Sequence, residues 1–202
     1  MAEEAAPFRR WAAGRPHLAI CLTGVGQANA ARRLGQALAG TPPGQVLTCG
    51  YAGGLDVGLA PGTVLFSADD ATGLGPKLAA AGARAARFHC ADRIITTAAE
   101  KRRLRETTGA DAVEMESGVI RRICAEQGVP GATIRVISDT AGEDLPLDLN
   151  LIYTEDWRLD YGRVARTVLR SPGAIAGLLR LQRRARFAAE QLGEVLARAL
   201  AD

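Results

Sequence analysis

Short apolar runs alternate along most of the chain with longer segments in which apolar residues recur at helical spacing. The runs predict strands at 17–23, 45–49, 63–68, 87–90, 110–113 and 132–138. The periodic segments predict helices at 27–39, 73–81, 97–107 and 117–127. Strands that alternate with helices are typical of an α/β fold with a largely parallel sheet.

The pattern changes after the last predicted strand. Residues 141–150 are acidic and turn-rich, which predicts a loop. Helices are expected at 156–170 and 174–201, separated by a Ser-Pro-Gly break that cannot continue a helix. The last helix carries Arg180, Arg183, Arg184 and Arg186. These arginines predict a solvated helix face, and the alternative is a weak peripheral contact with an anionic membrane surface.

The composition excludes several classes of protein. Hydrophobic residues make up 48% of the chain, which indicates a globular protein. The 25 basic and 22 acidic residues are too balanced to indicate nucleic-acid binding, and aromatic residues, at 4%, offer few stacking surfaces. A chain of 202 residues is expected to form a single domain over 1–202, with a core at 1–150 and C-terminal helices at 151–202.

Cysteine and histidine usage indicates a reduced protein without a metal site. The four cysteines form no CxxC pair, and the two histidines have no spaced partner. No signal-like or membrane-spanning apolar segment is found, so a cytoplasmic location is expected.

The run Ile134–Ala141 is the most informative part of the sequence. Its apolar, β-branched residues stop at Ser138 and Asp139, as expected of a buried parallel strand that delivers a carboxylate at its carboxyl end. Ligands of open α/β sheets bind at that end. Asp139 is therefore a candidate proton donor to a leaving group.

Two glycine-rich segments are candidate ligand contacts. Gly24-Val25-Gly26 follows a predicted strand and opens a helix, but Asn29 replaces the third glycine of the dinucleotide fingerprint. No nicotinamide or other cofactor is therefore expected. The turn either offers backbone N–H groups to an anion or sugar, or is only a tight connection. The three glycines within 50–54 predict a second turn, whose backbone could lie against a flat ligand.

Two glutamates two residues apart form the last candidate cluster. Glu114 and Glu116 flank Met115 at a predicted strand-to-helix junction. In a strand they share a face and in a helix they diverge, so their geometry stays open, as does a solvated charge pair.

Together these motifs resemble the purine and uridine phosphorylase superfamily. Within it they are most similar to methylthioadenosine/S-adenosylhomocysteine nucleosidases and hopanoid-associated nucleosidases. The motifs, in the family's order, lie at 23–30, 49–55, 113–117 and 135–141. The resemblance covers 1–150 and implies a single-domain, three-layer αβα fold with a mixed, mostly parallel central sheet. The family's first strand is missing here, since residues 1–8 already follow a helical pattern.

The resemblance implies cleavage of the N-ribosidic bond of a purine nucleoside. Asp139 would protonate the departing purine, Ser138 would orient Asp139, and Glu4 would match the water-activating glutamate. Glu116 would hold the ribose hydroxyls. Ile94 and Ile95 would pack the base and read it through backbone groups. The full set of implied substrate contacts is Gly24, Tyr51, Ala52, Gly53, Ile94, Ile95, Glu114, Met115 and Glu116.

The resemblance also favours water over phosphate as the nucleophile. Related phosphorylases carry an arginine where this chain has Thr48 and a serine where it has Tyr51, and a phosphate dianion is poorly held without arginine. The reaction would then release adenine from an adenosine-type nucleoside. The alternatives are a phosphorylase and a non-catalytic nucleoside-binding relative. A homodimer is expected by resemblance.

Overall fold

The computed structural model describes residues 2–154, 160–170 and 174–201. The helices are α1 (Ala2–Ala12), α2 (Gln27–Leu38), α3 (Leu74–Ala80), α4 (Ala98–Thr108), α5 (Ser117–Glu126), α6 (Tyr161–Arg170) and α7 (Ala174–Ala199). The strands are β1 (Val46–Gly54), β2 (Val64–Ala68), β3 (Arg84–Ala85), β4 (Phe88–Cys90), β5 (Ala112–Glu114) and β6 (Gly131–Asp139). Most predicted elements are confirmed to within a few residues.

The six strands form one mixed sheet in the order β3-β2-β6-β1-β5-β4. The β3–β2, β6–β1 and β5–β4 pairs are parallel, and the β2–β6 and β1–β5 pairs are antiparallel. The central strand β6 is buried at every position except Ser138, as its unbroken apolar run predicts. The predicted α/β fold with a mixed sheet is confirmed.

Helices pack on both sides of the sheet. Ile134 and Val136 of β6 face a core shared with β2, α3 and α7, while Ile137 joins a second core with residues of β1, β2 and β5. This follows from the period of two in a strand, which sends successive side chains to opposite faces. Helices α2 and α5 pack against each other in a further apolar cluster. The carboxyl end of β6 is therefore held between layers.

The strand predicted at 17–23 is wrong. The segment has no regular secondary structure and joins no strand of the sheet, and Ile20 and Leu22 stay partly exposed. A strand needs a ladder of backbone hydrogen bonds to a neighbour. Beyond its pairing with β6, β1 pairs with β5 only through Gly53 and Gly54. Among the described residues, the edge of β1 at 46–52 therefore has no strand beside it. We call this stretch the open edge.

Two further expectations need correction. The glycines at 50–54 do not form a turn, because they lie inside β1. The two-residue strand β3 was not predicted, since it is too short to show a periodic pattern.

Of the helix predicted at 156–170, the structure confirms α6, while 155–159 lie outside the described residues. Within the described chain, no helix is long and apolar enough to cross a membrane.

Candidate active site

The carboxyl ends of β6 and β1 meet β5 in one row. Asp139, the last residue of β6, pairs with Gly53 of β1, and Gly53 pairs with Val113 of β5. The register between β1 and β6 shifts between Ala52 and Gly53, an irregularity of the kind that bends a strand locally. Ligands of α/β sheets bind at this end of the strands.

A cavity of about 900 Å³ opens at this row and runs along the open edge of β1. One wall is formed by 46–53 and the other includes 17–25. The volume lies in the range of small-molecule sites. Every residue that the sequence assigned to the site lines this cavity, except Glu4. Glu4 belongs to α1, but its side chain lies outside the described part of the chain, so its role stays a prediction.

The Asp139 carboxylate is fixed through both oxygens. Ser138 Oγ donates a hydrogen bond to Asp139 Oδ1 at 2.7 Å, and Lys101 Nζ donates to Asp139 Oδ2 at 2.5 Å. Ser138 Oγ also lies 3.3 Å from the carbonyl oxygen of Ala52. Ser138 and Asp139 thus lie together at the end of β6, and the roles that the resemblance implies for them stay predictions.

Gly53 makes room for the Asp139 carboxylate. A Cβ atom at this position would stand 3.2 Å from Asp139 Oδ2 and 3.3 Å from Val113 Cγ1. Such contacts are tight, and neither neighbour can move freely because each belongs to an adjacent strand. The glycine therefore serves the approach of the carboxylate and not a turn.

A buried ion-pair network lies beside the row. Arg135 of β6 donates from Nη2 to Glu114 Oε2 at 2.6 Å and to Thr48 Oγ1 at 3.2 Å. The same Nη2 lies 3.4 Å from Glu116 Oε2. Arg135 Nε is buried and has no hydrogen-bond partner among the described residues. One guanidinium thus faces two carboxylates at the cavity wall.

Glu114 is saturated by the protein itself. Its oxygens accept hydrogen bonds from the backbone N–H groups of Glu116 and Ser117, from Ser117 Oγ and from Arg135. Burial raises the pKa of Glu114, but the charge of Arg135 and these hydrogen bonds outweigh it, so the pKa lies below its usual value. Glu114 therefore organises the β5–α5 junction, and of the two glutamates only Glu116 exposes part of its side chain.

Glu116 joins two of the sequence motifs. Its Oε1 accepts a hydrogen bond from the backbone N–H of Gly26 at 3.0 Å. Gly26 has a φ of 86°, a left-handed conformation that glycine adopts without strain. The first glycine turn thereby holds one oxygen of Glu116, while Met115 packs beside it, largely buried.

The segment at 94–95 offers backbone groups to the cavity. The N–H and C=O of Ile94 are both bonded to the side-chain amide of Asn150, each at 2.9 Å. Within the described chain the N–H and C=O of Ile95 have no partner. A base that is read by the backbone of this segment is therefore read through Ile95.

Two other residues along β1 have defined surroundings. Tyr51 donates its hydroxyl hydrogen bond to the carbonyl oxygen of Ala185 in α7 at 3.0 Å, which ties β1 to that helix. Cys49 lines the cavity with its side chain exposed there, and desolvation by the surrounding protein raises the pKa of its thiol to about 12. A raised pKa disfavours the thiolate, which is the nucleophilic form of cysteine.

Sequence reasoning missed Lys101 and Arg135. Arg135 did carry a signal, since a lone charge inside a buried apolar strand must be paired. Lys101 sits in a run of charged residues, where only its spacing of three from Leu104 marks the inward face of a helix.

Among the described residues, no group of three His, Cys, Asp or Glu side chains could hold a metal ion.

Comparison with known proteins agrees with this geometry. A profile of the phosphorylase superfamily matches residues 80–170, which include β5, β6 and Lys101. The 5'-methylthioadenosine/S-adenosylhomocysteine nucleosidases of Mycobacterium bovis and Mycobacterium tuberculosis are each 44% identical over 50 residues. That match covers 25% of this chain and only 20% of each relative.

Solved structures are similar over nearly the whole chain. The futalosine hydrolase of Helicobacter pylori gives a TM-score of 0.70 at 16% identity, covering 99% of this chain and 94% of that one. A Neisseria meningitidis 5'-methylthioadenosine/S-adenosylhomocysteine nucleosidase with bound methylthio-immucillin-A gives 0.69 at 18% identity, covering 99% and 95%. At identities this low, the structural similarity establishes the fold alone. The superfamily profile and the two nucleosidases confirm the resemblance seen in the sequence motifs.

Proposed function

We propose that this protein hydrolyses the N-ribosidic bond of a purine nucleoside of the adenosine type and releases the base. The observation that carries the proposal is that two carboxyl groups line the same cavity: Asp139, which is held at the end of a strand, and Glu116, which faces the cavity. The matched nucleosidases act, by their names, on methylthioadenosine and S-adenosylhomocysteine. These compounds and futalosine are the first substrates to test.

Asp139 is the group to protonate the departing purine. A leaving base needs a proton, and an acid–base group at hydrogen-bond distance contributes about 10² to 10⁴ in rate. Ser138 and Lys101 hold the carboxyl in one orientation at the row of strand ends. The backbone N–H and C=O of Ile95, which have no partner among the residues that the structure describes, supply a donor and an acceptor for the same base.

Glu116 is the group to hold the ribose and to oppose the developing positive charge. Ribosyl transfer passes through an oxocarbenium-like state, which a nearby negative charge stabilises. Arg135 contributes one positive charge, while Glu114 and Glu116 contribute two negative ones. The network is therefore net negative beside the sugar position.

The same charges support water as the nucleophile. Arg135 does reach Thr48, the position where the family's phosphorylases carry an arginine, so this chain also has a guanidinium near that position. Its guanidinium, however, is already engaged by Glu114 and Glu116. The net negative charge there would repel a phosphate dianion, but it would not repel a neutral water molecule.

The test is base release from a panel of methylthioadenosine, S-adenosylhomocysteine, a longer adenosyl conjugate and futalosine, each with and without phosphate. Hydrolysis without phosphate is the expected result. Strict phosphate dependence would instead support the phosphorylase. Tight calorimetric binding of adenine without any turnover would support the non-catalytic nucleoside-binding alternative.

Replacing the proposed acid gives the sharpest check. Asp139→Asn should lower kcat about 10² to 10⁴-fold, because an amide cannot give up a proton to the base. Its circular dichroism spectrum should stay that of the native chain. An unchanged rate would remove Asp139 from the acid role.

The partners of the protein are also proposals. The exposed face of α7 combines Arg180, Arg183 and Arg186 with exposed Leu179 and Phe187, which suits weak contact with an anionic membrane surface. Sedimentation with anionic and neutral vesicles at low salt tests this contact. The homodimer rests on the resemblance, and ultracentrifugation tests it. Cell fractionation tests the cytoplasmic location that the sequence pattern predicts.

A further inference from the structure

Lys101 is a charged residue whose side chain is completely buried. Its relative exposure is 0%, and it is one of only two lysines in the chain. The ammonium donates three hydrogen bonds, to Asp139 Oδ2 at 2.5 Å, to the carbonyl oxygen of Thr140 at 2.8 Å and to that of Glu143 at 2.9 Å. All three of its donors are therefore used.

The location of Lys101 is unfavourable for the helix that carries it. Thr97 caps the amino terminus of α4, so Lys101 is the fourth helical residue and lies near the positive end of the helix dipole. Moving an ammonium out of water is strongly unfavourable unless it is well paired. Neither the helix nor the hydrophobic core accounts for a lysine here, whereas its three partners do.

Two of those partners shape the loop and the third is the proposed acid. By binding Thr140 and Glu143, Lys101 closes the turn that follows β6. Lys101 binds Oδ2 of Asp139, while Ser138 binds the other carboxyl oxygen, Oδ1. When an acid at Asp139 gives its proton to a purine, negative charge forms on the carboxylate, next to the ammonium. Opposite charges attract most strongly away from water, so the ammonium stabilises the carboxylate as it forms.

We propose that Lys101 is a positioning residue that acts through Asp139, both by orienting the carboxyl and by stabilising the anion left after the proton moves to the base. This inference rests on the proposed nucleosidase function. The proton passes from the Asp139 carboxyl to the purine nitrogen as the N-ribosidic bond breaks, and water adds to the ribosyl carbon. The proton that this water releases returns to Asp139 through solvent, while Lys101 keeps its own protons throughout.

The inference predicts a split between kcat and KM. Lys101→Met removes the charge at similar length and should lower kcat about 100-fold while KM changes less than about threefold, because the charge acts on the transition state and not on the bound nucleoside. The matched control is Lys77→Met, at the exposed second lysine, which should leave both parameters unchanged. A raised KM with kcat intact would overturn the inference.

A double-mutant cycle separates this role from loop closure. In an Asp139→Asn background, Lys101→Met should lower kcat no further, because the group through which it acts is gone. A further loss of about 100-fold would show that Lys101 only closes the turn, and would overturn the inference. The double variant carries neither charge and should melt at a higher temperature than Asp139→Asn, which leaves the buried ammonium unpaired.

A measurement on the unmutated protein covers the case in which the variants fail to fold. With ¹⁵N-labelled lysine, the Lys101 ammonium should give a slowly exchanging signal that shifts when adenine is added, while the Lys77 signal does not. No shift of Lys101 at saturating adenine would overturn the inference. Absence of base release from every nucleoside by the wild type would instead refute the proposed function, and the adenine titration distinguishes the two failures.

Discussion

Glu100 combines a helix cap with an ion pair, and this predicts part of the acid sensitivity of the protein. Its Oε1 accepts from Arg93 at 2.6 Å, and its Oε2 accepts from the backbone N–H and the hydroxyl of Thr97. The hydrogen bond from Arg93, followed by those from Thr97, lowers the pKa of Glu100 to about 2 despite partial desolvation. The folded state therefore prefers the ionised form more than the unfolded state does.

The sign of the effect follows from linkage. The stabilisation is fully present above the unfolded pKa, about 4.3 for glutamate, and is lost as the pH falls towards about 2. Glu100→Gln keeps a capping amide but has no charge to lose. In urea titrations, the free energy of unfolding of the wild type should fall more between about pH 5 and pH 2 than that of the variant. Parallel curves would contradict the assignment.

At the residue scale, chemistry could be predicted from sequence where one residue broke a pattern. Asp139 ended an apolar strand and was found. Lys101 was hidden because its partners lie in the segment 139–143, and no local pattern connects them. Contacts between residues so far apart in sequence depend on how α4 packs against the end of β6.

At the element scale, Gly53 in β1 is predicted to matter for activity more than for stability. Gly53→Ala would place a Cβ against the Asp139 carboxylate and Val113, so we expect kcat to fall at least about tenfold as the acid is displaced. The matched control is Gly35→Ala in α2, where a Cβ would meet open space.

Gly35→Ala should leave kcat unchanged and raise the free energy of unfolding by about 0.5–1 kcal/mol, because alanine favours a helix. Steady-state kinetics and urea titrations of both variants check the pair. Full activity of Gly53→Ala would show that the strand end has more room than its contacts indicate.

Helices and buried strands could be predicted because their patterns are local. The apolar periodicity of α2 and the unbroken run of β6 were sufficient. The segment 17–23 has the composition of a strand as well, but a strand forms only where a neighbour supplies a ladder, and composition says nothing about the neighbour. The glycines of β1 predicted a turn wrongly for a similar reason. Glycine is needed at position 53 because the Asp139 carboxylate of the neighbouring strand lies against it, and the local sequence does not show that contact.

At the scale of the whole molecule, β6 holds the layers together. Ile134 is fully buried in a core that joins β2, β6, α3 and α7. Ile134→Ala should lower the free energy of unfolding by about 3 kcal/mol, because it removes buried methyl groups and leaves a cavity. Val57→Ala, at a side chain that is 94% exposed, should change it by less than about 0.5 kcal/mol. Urea titrations check both, and similar losses would contradict the placement of the core.

The open edge of β1 bears on how the chain behaves while it folds. Unpaired edges are ready templates for strands of other chains, and proteins usually blunt them with lysine, proline or a covering element. The stretch 46–52 contains none of those residues, and its cover on one side is the unpaired segment 17–23. Crowded folding intermediates can therefore add strands to one another before 17–23 closes over the edge. The refolding yield should accordingly depend on protein concentration far more than the stability of the folded protein does.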